Sequence, residues 1–229
     1  MSDASLSGAT RKMRALLFGG SGMIGQGMLR ELLARPEVTE VLSVGRTPLE
    51  QKHAKLKELL RKDLFDWTDC EAQLTGIDAV FFCLGVSSSG MSEADYTKLT
   101  YELPLGVARV LKKTSPGLTF CLISGASTDV NSRQMWARVK GRIEVELQQV
   151  GFKAVYCFRP GYIQPMDGIV SKTASYRLMY KFTGPLYPLF KGIKSMVTST
   201  RQLGHAMVEV ALKGYSKPIL ESVDINAVT

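Results

Sequence analysis

Three glycines spaced three apart, Gly19-x-x-Gly22-x-x-Gly25, follow the apolar run Leu16-Leu17-Phe18, and a helical pattern begins at once. Strand, tight turn and helix in that order are what binding a pyrophosphate requires. Gly19 lets the chain leave the strand sharply, Gly22 lets backbone N–H groups approach the phosphates, and Gly25 lets the helix pack close to the strand. The helix start, with Ser21, Met23 and Ile24 around Gly22, offers unpaired N–H groups and a favourable dipole to negative charge. A purely structural tight turn is the competing explanation. The strand before and the helix after the glycines favour a dinucleotide.

About 20 residues past such glycines, a site for NAD places a carboxylate that holds the ribose 2′-hydroxyl. This chain reads Val44-Gly45-Arg46-Thr47 there, a guanidinium in place of the carboxylate. Arg46 pairs with a 2′-phosphate and stacks on adenine, where a carboxylate would repel that phosphate. The expected cofactor is therefore NADP rather than NAD, an exposed loop arginine being the alternative.

The elements around these residues alternate along the chain. Strands are expected at Arg14–Phe18, Glu40–Val44, a short one at Asp63-Leu64, Ile77–Leu84, Thr119–Ser124, Ala154–Arg159 and near Val223–Ala227. Helices are expected at Met23–Ala34, Glu93–Lys113 (broken or kinked at Pro104), Gln134–Val150 and Gln202–Lys213, with Gln51–Leu60 a short charged helix or loop. Strands that are apolar throughout are covered on both faces, so the fold class is α/β, a doubly wound parallel sheet of Rossmann type. Pro165–Thr200 breaks the rhythm: it is aromatic, basic and interrupted by Pro185 and Pro188. Its expected role is an irregular lid or wall of the substrate pocket, at the sheet edge where such folds bind ligands.

A chain of 229 residues supports one core, and a single domain spanning residues 1–229 is expected. Met1–Thr10 is polar and lacks the apolar core of a secretory signal, so residues 1–12 read as a disordered leader and the chain as cytoplasmic. The cysteines show no C-x-x-C pairing, and Cys83, Cys121 and Cys157 lie in apolar runs as inert core thiols. His53 and His205 are far apart in sequence and offer no zinc-ligand spacing, so no metal is expected. The net charge of +8 suits a phosphate-bearing ligand, nucleic acid or an anionic membrane. No helix-turn-helix, zinc-finger or RNA-binding signature supports nucleic acid.

The glycine turn, Asp63-Leu64, Cys83-Leu84-Gly85, Ser124, Lys140 and Arg159-Pro160-Gly161 together resemble the extended and atypical short-chain dehydrogenase/reductases. The likeness is nearest to the small atypical branch that includes the Tat-interacting protein homologues. It covers Arg14 to Ala227. The resemblance implies that Asp63 and Leu64 flank the adenine, that Leu84 and Gly85 line its ribose, and that Pro160-Gly161 lie against the nicotinamide. It further implies that Lys140 holds the nicotinamide ribose and lowers the pKa of a nearby acid, and that Ser124 polarises a substrate carbonyl. One departure matters more than these agreements. Active members carry Tyr-x-x-x-Lys on one helix face, whereas this chain reads Trp136-Ala137-Arg138-Val139-Lys140. An indole N–H has no accessible acidic pKa and cannot serve as a general acid.

Two functions follow. One is an NADP-binding oxidoreductase with an altered proton-donating apparatus, moving hydride to or from an unidentified small carbonyl or alcohol, with Ser124, Lys140 and bound water handling the proton. The other is a non-catalytic NADP(H) sensor. Tyr96, Tyr101 and Tyr162 are the tyrosines considered as substitutes for the missing acid, each with a pocket wall or surface position as its competing role. Ser171–Lys194, where lysines and arginines interleave with aromatic and aliphatic residues, suits either a pocket wall or docking on a membrane surface or a partner helix.

Overall fold

The apolar runs fold into a central parallel sheet, seen here in a computed structural model that describes residues 12–171 and 174–229. The leader expected at residues 1–12 thus lies almost wholly outside the described residues. Among the described residues, seven strands pair in parallel in the order β3-β2-β1-β4-β5-β6-β9. They are β1 (Met13–Phe18), β2 (Val38–Gly45), β3 (Leu56–Leu60), β4 (Ala79–Phe82), β5 (Thr119–Ile123), β6 (Ala154–Arg159) and β9 (Ile219–Glu221). The strand order reverses between β1 and β4, the topological switch point at which such sheets bind ligands.

Alternate residues of each strand feed two cores, one on each face. On one face Ala15, Leu17, Phe81 and Phe158 meet α1 (Met23–Ala34) and α7 (Thr200–Lys213) through Met28, Leu32, Leu203 and Met207. On the other, Phe18, Phe82 and Phe120 stack in a row, with ring centroids 5.0 and 6.2 Å apart. There they meet α3 (Leu103–Thr114) and α4 (Met135–Gln149) through Leu103, Val107, Leu111, Ile143 and Leu147. Helices α1 and α7 cross at glycines. A Cβ on Gly27 would lie 2.9 Å from the Thr200 Cβ, and one on Gly204 would lie 3.2 Å from the Gly27 carbonyl oxygen.

Four expectations are corrected. The third strand is Leu56–Leu60, not Asp63-Leu64, which lie in the turns after it. It is an edge strand, and the charges of Lys57 and Glu58, typical of a guarded edge, masked its period. The last strand is Ile219–Glu221, and Val223 begins no strand because α8 (Ser222–Ile225) starts there under a capping box between Glu221 and Asp224. The long helix expected over Glu93–Lys113 is α2 (Glu93–Thr97), a π-helical turn at Lys98–Glu102 and then α3. Pro104 sits in the first turn of α3, where a missing N–H costs little, so the irregularity precedes it. Finally, Pro165–Thr200 is not irregular throughout. It contains α5 (Ala174–Thr183), α6 (Tyr187–Phe190) and β8 (Val197–Ser199), which pairs in parallel with β7 (Tyr162–Gln164).

Candidate functional site

A cleft of about 800 Å³ opens along the C-terminal edge of the sheet. Its floor is the glycine turn. Gly19 adopts φ +79°, and a Cβ there would lie 2.7 Å from the Leu84 nitrogen, so no side chain fits between β1 and the segment after β4. Gly22 caps α1 with extended backbone, and its N–H donates to the Gly19 carbonyl at 2.9 Å, closing the turn. No side chain caps this helix, which leaves the following N–H groups facing the cleft. Gly25 stands behind the turn rather than in it: a Cβ there would overlap the Gly19 carbonyl oxygen. Gly19 and Gly25 thus take the structural parts that their spacing predicts.

Arg46 lines the far end of the cleft, exposed, beside Thr47, Leu49 and Ser43. It has no ion-pair partner among the described residues. The same end holds a carboxylate that sequence reasoning missed, Glu58 on β3. Glu58 accepts the Leu49 N–H at 2.7 Å and the Lys52 ammonium at 3.2 Å, which together hold its carboxyl below the usual range. It went unseen because the strand that carries it was read as a helix or loop. Ser43, also unforeseen, is buried on β2, and its Oγ would be 2.8 Å from a Cβ on Gly20.

The opposite end is built by β5 and α4. Lys140 donates to the Ser124 carbonyl oxygen at 3.0 Å, and both residues line the cleft. Burial lowers the Lys140 ammonium to about 8, against the opposing pull of Glu144 one turn later. Glu144 is itself buried and held by Arg159, whose Nε lies 3.0 Å from it, so the charge under Lys140 is already neutralised. The Ser124 hydroxyl lies 3.2 Å from the Thr128 Oγ1, which in turn donates to the Gly125 carbonyl at 2.8 Å. Thr128 has only one hydroxyl proton, so the Ser124 hydroxyl is the donor to Thr128 and must turn to serve a substrate oxygen.

The remaining site candidates divide. Ser21, Met23, Ile24, Leu64, Leu84 and Gly85 line the cleft. Asp63, Pro160 and Gly161 are not among its lining residues. The Asp63 carboxylate accepts the Phe65 N–H at 2.8 Å, the Pro160 carbonyl accepts the Ala126 N–H, and the Gly161 N–H donates to the Ser222 Oγ at 2.8 Å. Of Pro165–Thr200, only Ser171 among the described residues lines the cleft, so the expected lid is confined to that point.

The tyrosines also separate. Tyr162 is bound to Gln164 and Thr183, and Tyr101 lies under the Arg142 guanidinium. Tyr96 alone of the three is fully buried, and it lines a small cavity together with Ser124 and Lys140. A two-pronged pair from Arg138 to Glu93, at 2.9 and 2.8 Å, ties α2, which carries Tyr96, to α4. Trp136 does not line the cleft; its ring lies against Gly125, with Cζ3 3.8 Å from where a Cβ would stand.

These residues fit a dinucleotide. The glycine cradle would be filled by any Cβ, an uncapped helix start faces it, a cation stands at one end, and a lysine and a serine stand at the other.

The model of the NAD dependent epimerase/dehydratase family matches residues 15–128. The mitochondrial protein fmp52 of Emericella nidulans is 32% identical over 154 residues, 64% of this chain and 65% of that protein. The mitochondrial protein fmp52-1 of Aspergillus oryzae is 30% identical over 173 residues, 70% of this chain and 73% of that protein. The chain therefore spans about two thirds to three quarters of these relatives' lengths. The dTDP-glucose 4,6-dehydratase DesIV of Streptomyces venezuelae, solved with NAD bound, shares the fold at 15% identity and a TM-score of 0.67, over 90% of this chain and 74% of that one. The relatives' mitochondrial naming overturns the cytoplasmic placement expected from the sequence. That expectation tested only for a secretory apolar core, which a mitochondrial address does not need.

Proposed function

Since the chain belongs to the family of the Fmp52 proteins, we propose that it is an NADP-dependent oxidoreductase of the atypical short-chain dehydrogenase/reductase type acting on a small carbonyl or alcohol, in mitochondria as its relatives are named. The observation that carries this reading is one cleft joining the glycine turn, Arg46, Ser124 and Lys140. The nucleotide, when bound, supplies or accepts hydride. The start of α1 would hold its pyrophosphate and Arg46 its 2′-phosphate, while Glu58, occupied by Lys52 and the Leu49 N–H, offers that phosphate little repulsion.

With tryptophan at 136, proton transfer falls to the remaining polar groups. Lys140, poised near neutrality by burial, donates from its ammonium to the carbonyl oxygen, and Ser124 turns from Thr128 to orient that oxygen. A second reading, a nucleotide sensor without turnover, is favoured by Trp136 standing off the cleft and by the Ser124 proton being directed at Thr128.

A fluorescence titration tests the cofactor assignment. NADPH is expected to bind more tightly than NADH by about tenfold to a hundredfold, the contribution of roughly 1.5–3 kcal/mol from a charge-assisted contact. Arg46→Asp is expected to reverse the order. Equal affinities in the unmutated protein would remove Arg46 from the site. A turnover screen on aldehydes and ketones separates the enzyme from the sensor.

A further inference from the structure

The segment between β7 and β8 turns two kinds of side chain in opposite directions. Inward, Tyr162 on β7 packs edge-on against Tyr180 and Phe190 at 5.7 and 5.5 Å, and Phe190 against Tyr187 at 6.0 Å. This aromatic base fixes the segment to the body of the protein. Outward, Leu178 is 60% exposed, Phe182 67%, Leu189 82% and Met196 64%. Large apolar side chains left this bare in one continuous segment mark an interaction surface.

Charge narrows the occupant. From Ile169 to Val208 the sequence holds six lysines and arginines and no aspartate or glutamate. Lys181, Lys191 and Lys194 are exposed among the apolar tips. A second copy of the same face would bring like charges together, which disfavours self-association. The cleft does not claim the segment either, since only Ser171 of its described residues reaches the lining. Apolar tips set among lysines on a fixed base suit a surface that is anionic outside and apolar beneath.

We propose that the outward face of residues 177–196 docks on an anionic phospholipid bilayer, with Leu178, Phe182, Leu189 and Met196 entering the interface and Lys181, Lys191 and Lys194 meeting lipid phosphates. The docking is peripheral: no helix among the described residues is long and apolar enough to cross a membrane. It stands independently of the redox reading, because none of these seven residues lines the cleft.

The test is co-sedimentation of the full chain with vesicles of phosphatidylcholine alone or mixed with phosphatidylserine. Binding is expected to be at least about tenfold stronger to the mixed vesicles and to weaken as salt is raised, because the lysine contribution is screened. Phe182→Asp with Leu189→Asp, and separately Lys181→Glu with Lys191→Glu and Lys194→Glu, should each lower binding by about tenfold or more, with the thermal midpoint and NADPH titration unchanged. These positions are exposed, so the variants should fold. Absence of vesicle binding overturns the proposal, as does binding that neither variant alters. Dimerisation abolished by Leu189→Asp, or retention of polyglutamate without retention of vesicles, would assign the face to a protein partner and overturn it equally.

Discussion

Trp136→Tyr is expected to raise NADPH-dependent turnover of small aldehydes and ketones by about 10²–10⁴-fold, the usual contribution of a positioned general acid. Residues 136 and 140 lie one turn apart on α4, so the new phenol would share a face with Lys140. Trp136 itself stands off the cleft, so the gain requires the smaller phenol to turn toward Lys140. Lys140 is anchored on the Ser124 carbonyl oxygen, and the ring at 136 lies against Gly125, the next residue. A neighbouring ammonium favours the phenolate and so brings the phenol's pKa toward the working range. Steady-state rates of the variant, with and without Lys140→Ala, check this. A gain that survives loss of Lys140 would count against the pairing. In the unmutated protein, reduction should fall as pH rises through about 8, because Lys140 then loses the proton it donates. Lys140→Arg should move that limb upward. If turnover is instead abolished by Tyr96→Phe and untouched at Lys140, the proton comes from the phenol in the small cavity.

Gly22→Val is expected to abolish dinucleotide binding while leaving a folded protein. A Cβ at Gly22 meets only the Gly19 carbonyl oxygen, at 3.3 Å, so the added side chain would occupy the cleft rather than the core. Gly25→Val should behave differently. Its Cβ would overlap the Gly19 carbonyl, driving α1 away from β1 at a cost of about 1–3 kcal/mol or more. Thermal melts and NADPH titrations of the two variants distinguish ligand space from packing space. Retained binding in a folded Gly22→Val protein would place the nucleotide elsewhere.

The residues that could be read in advance are those whose chemistry is local. A glycine triplet after an apolar run specifies its turn by backbone sterics alone, and α1 begins and ends where its pattern does, at Met23 and Ala34. The guidance failed where tertiary context decides. β3 is an edge strand whose charged residues carry no strand period, and with it went Glu58, the carboxylate at the Arg46 end of the cleft. The π-helical turn at Lys98–Glu102 has no composition signal, yet it lies between Tyr96 and α3 and so sets which way the tyrosine faces. That Arg159 clamps a buried glutamate depends on what α4 brings opposite it, and here that is Glu144. The mitochondrial naming of the relatives lay beyond any argument from the missing secretory core.

The glycine crossing of α1 on α7 governs the order in which the protein can be completed. The helix behind the glycine turn is synthesised near the start, and the surface it rests on belongs to residues 200–213. Contacts so distant along the chain form only after a long loop has been closed, which slows folding and leaves early segments unpartnered. Met28, Leu29, Leu32 and Leu33, all buried in the finished fold, have only the strand residues of their cluster against them until α7 arrives. Residues 15–128, the stretch that matches the family model, therefore do not contain everything needed to bury their own first helix. A chain terminated before Thr200 is expected to leave that apolar face bare and to aggregate rather than bind nucleotide.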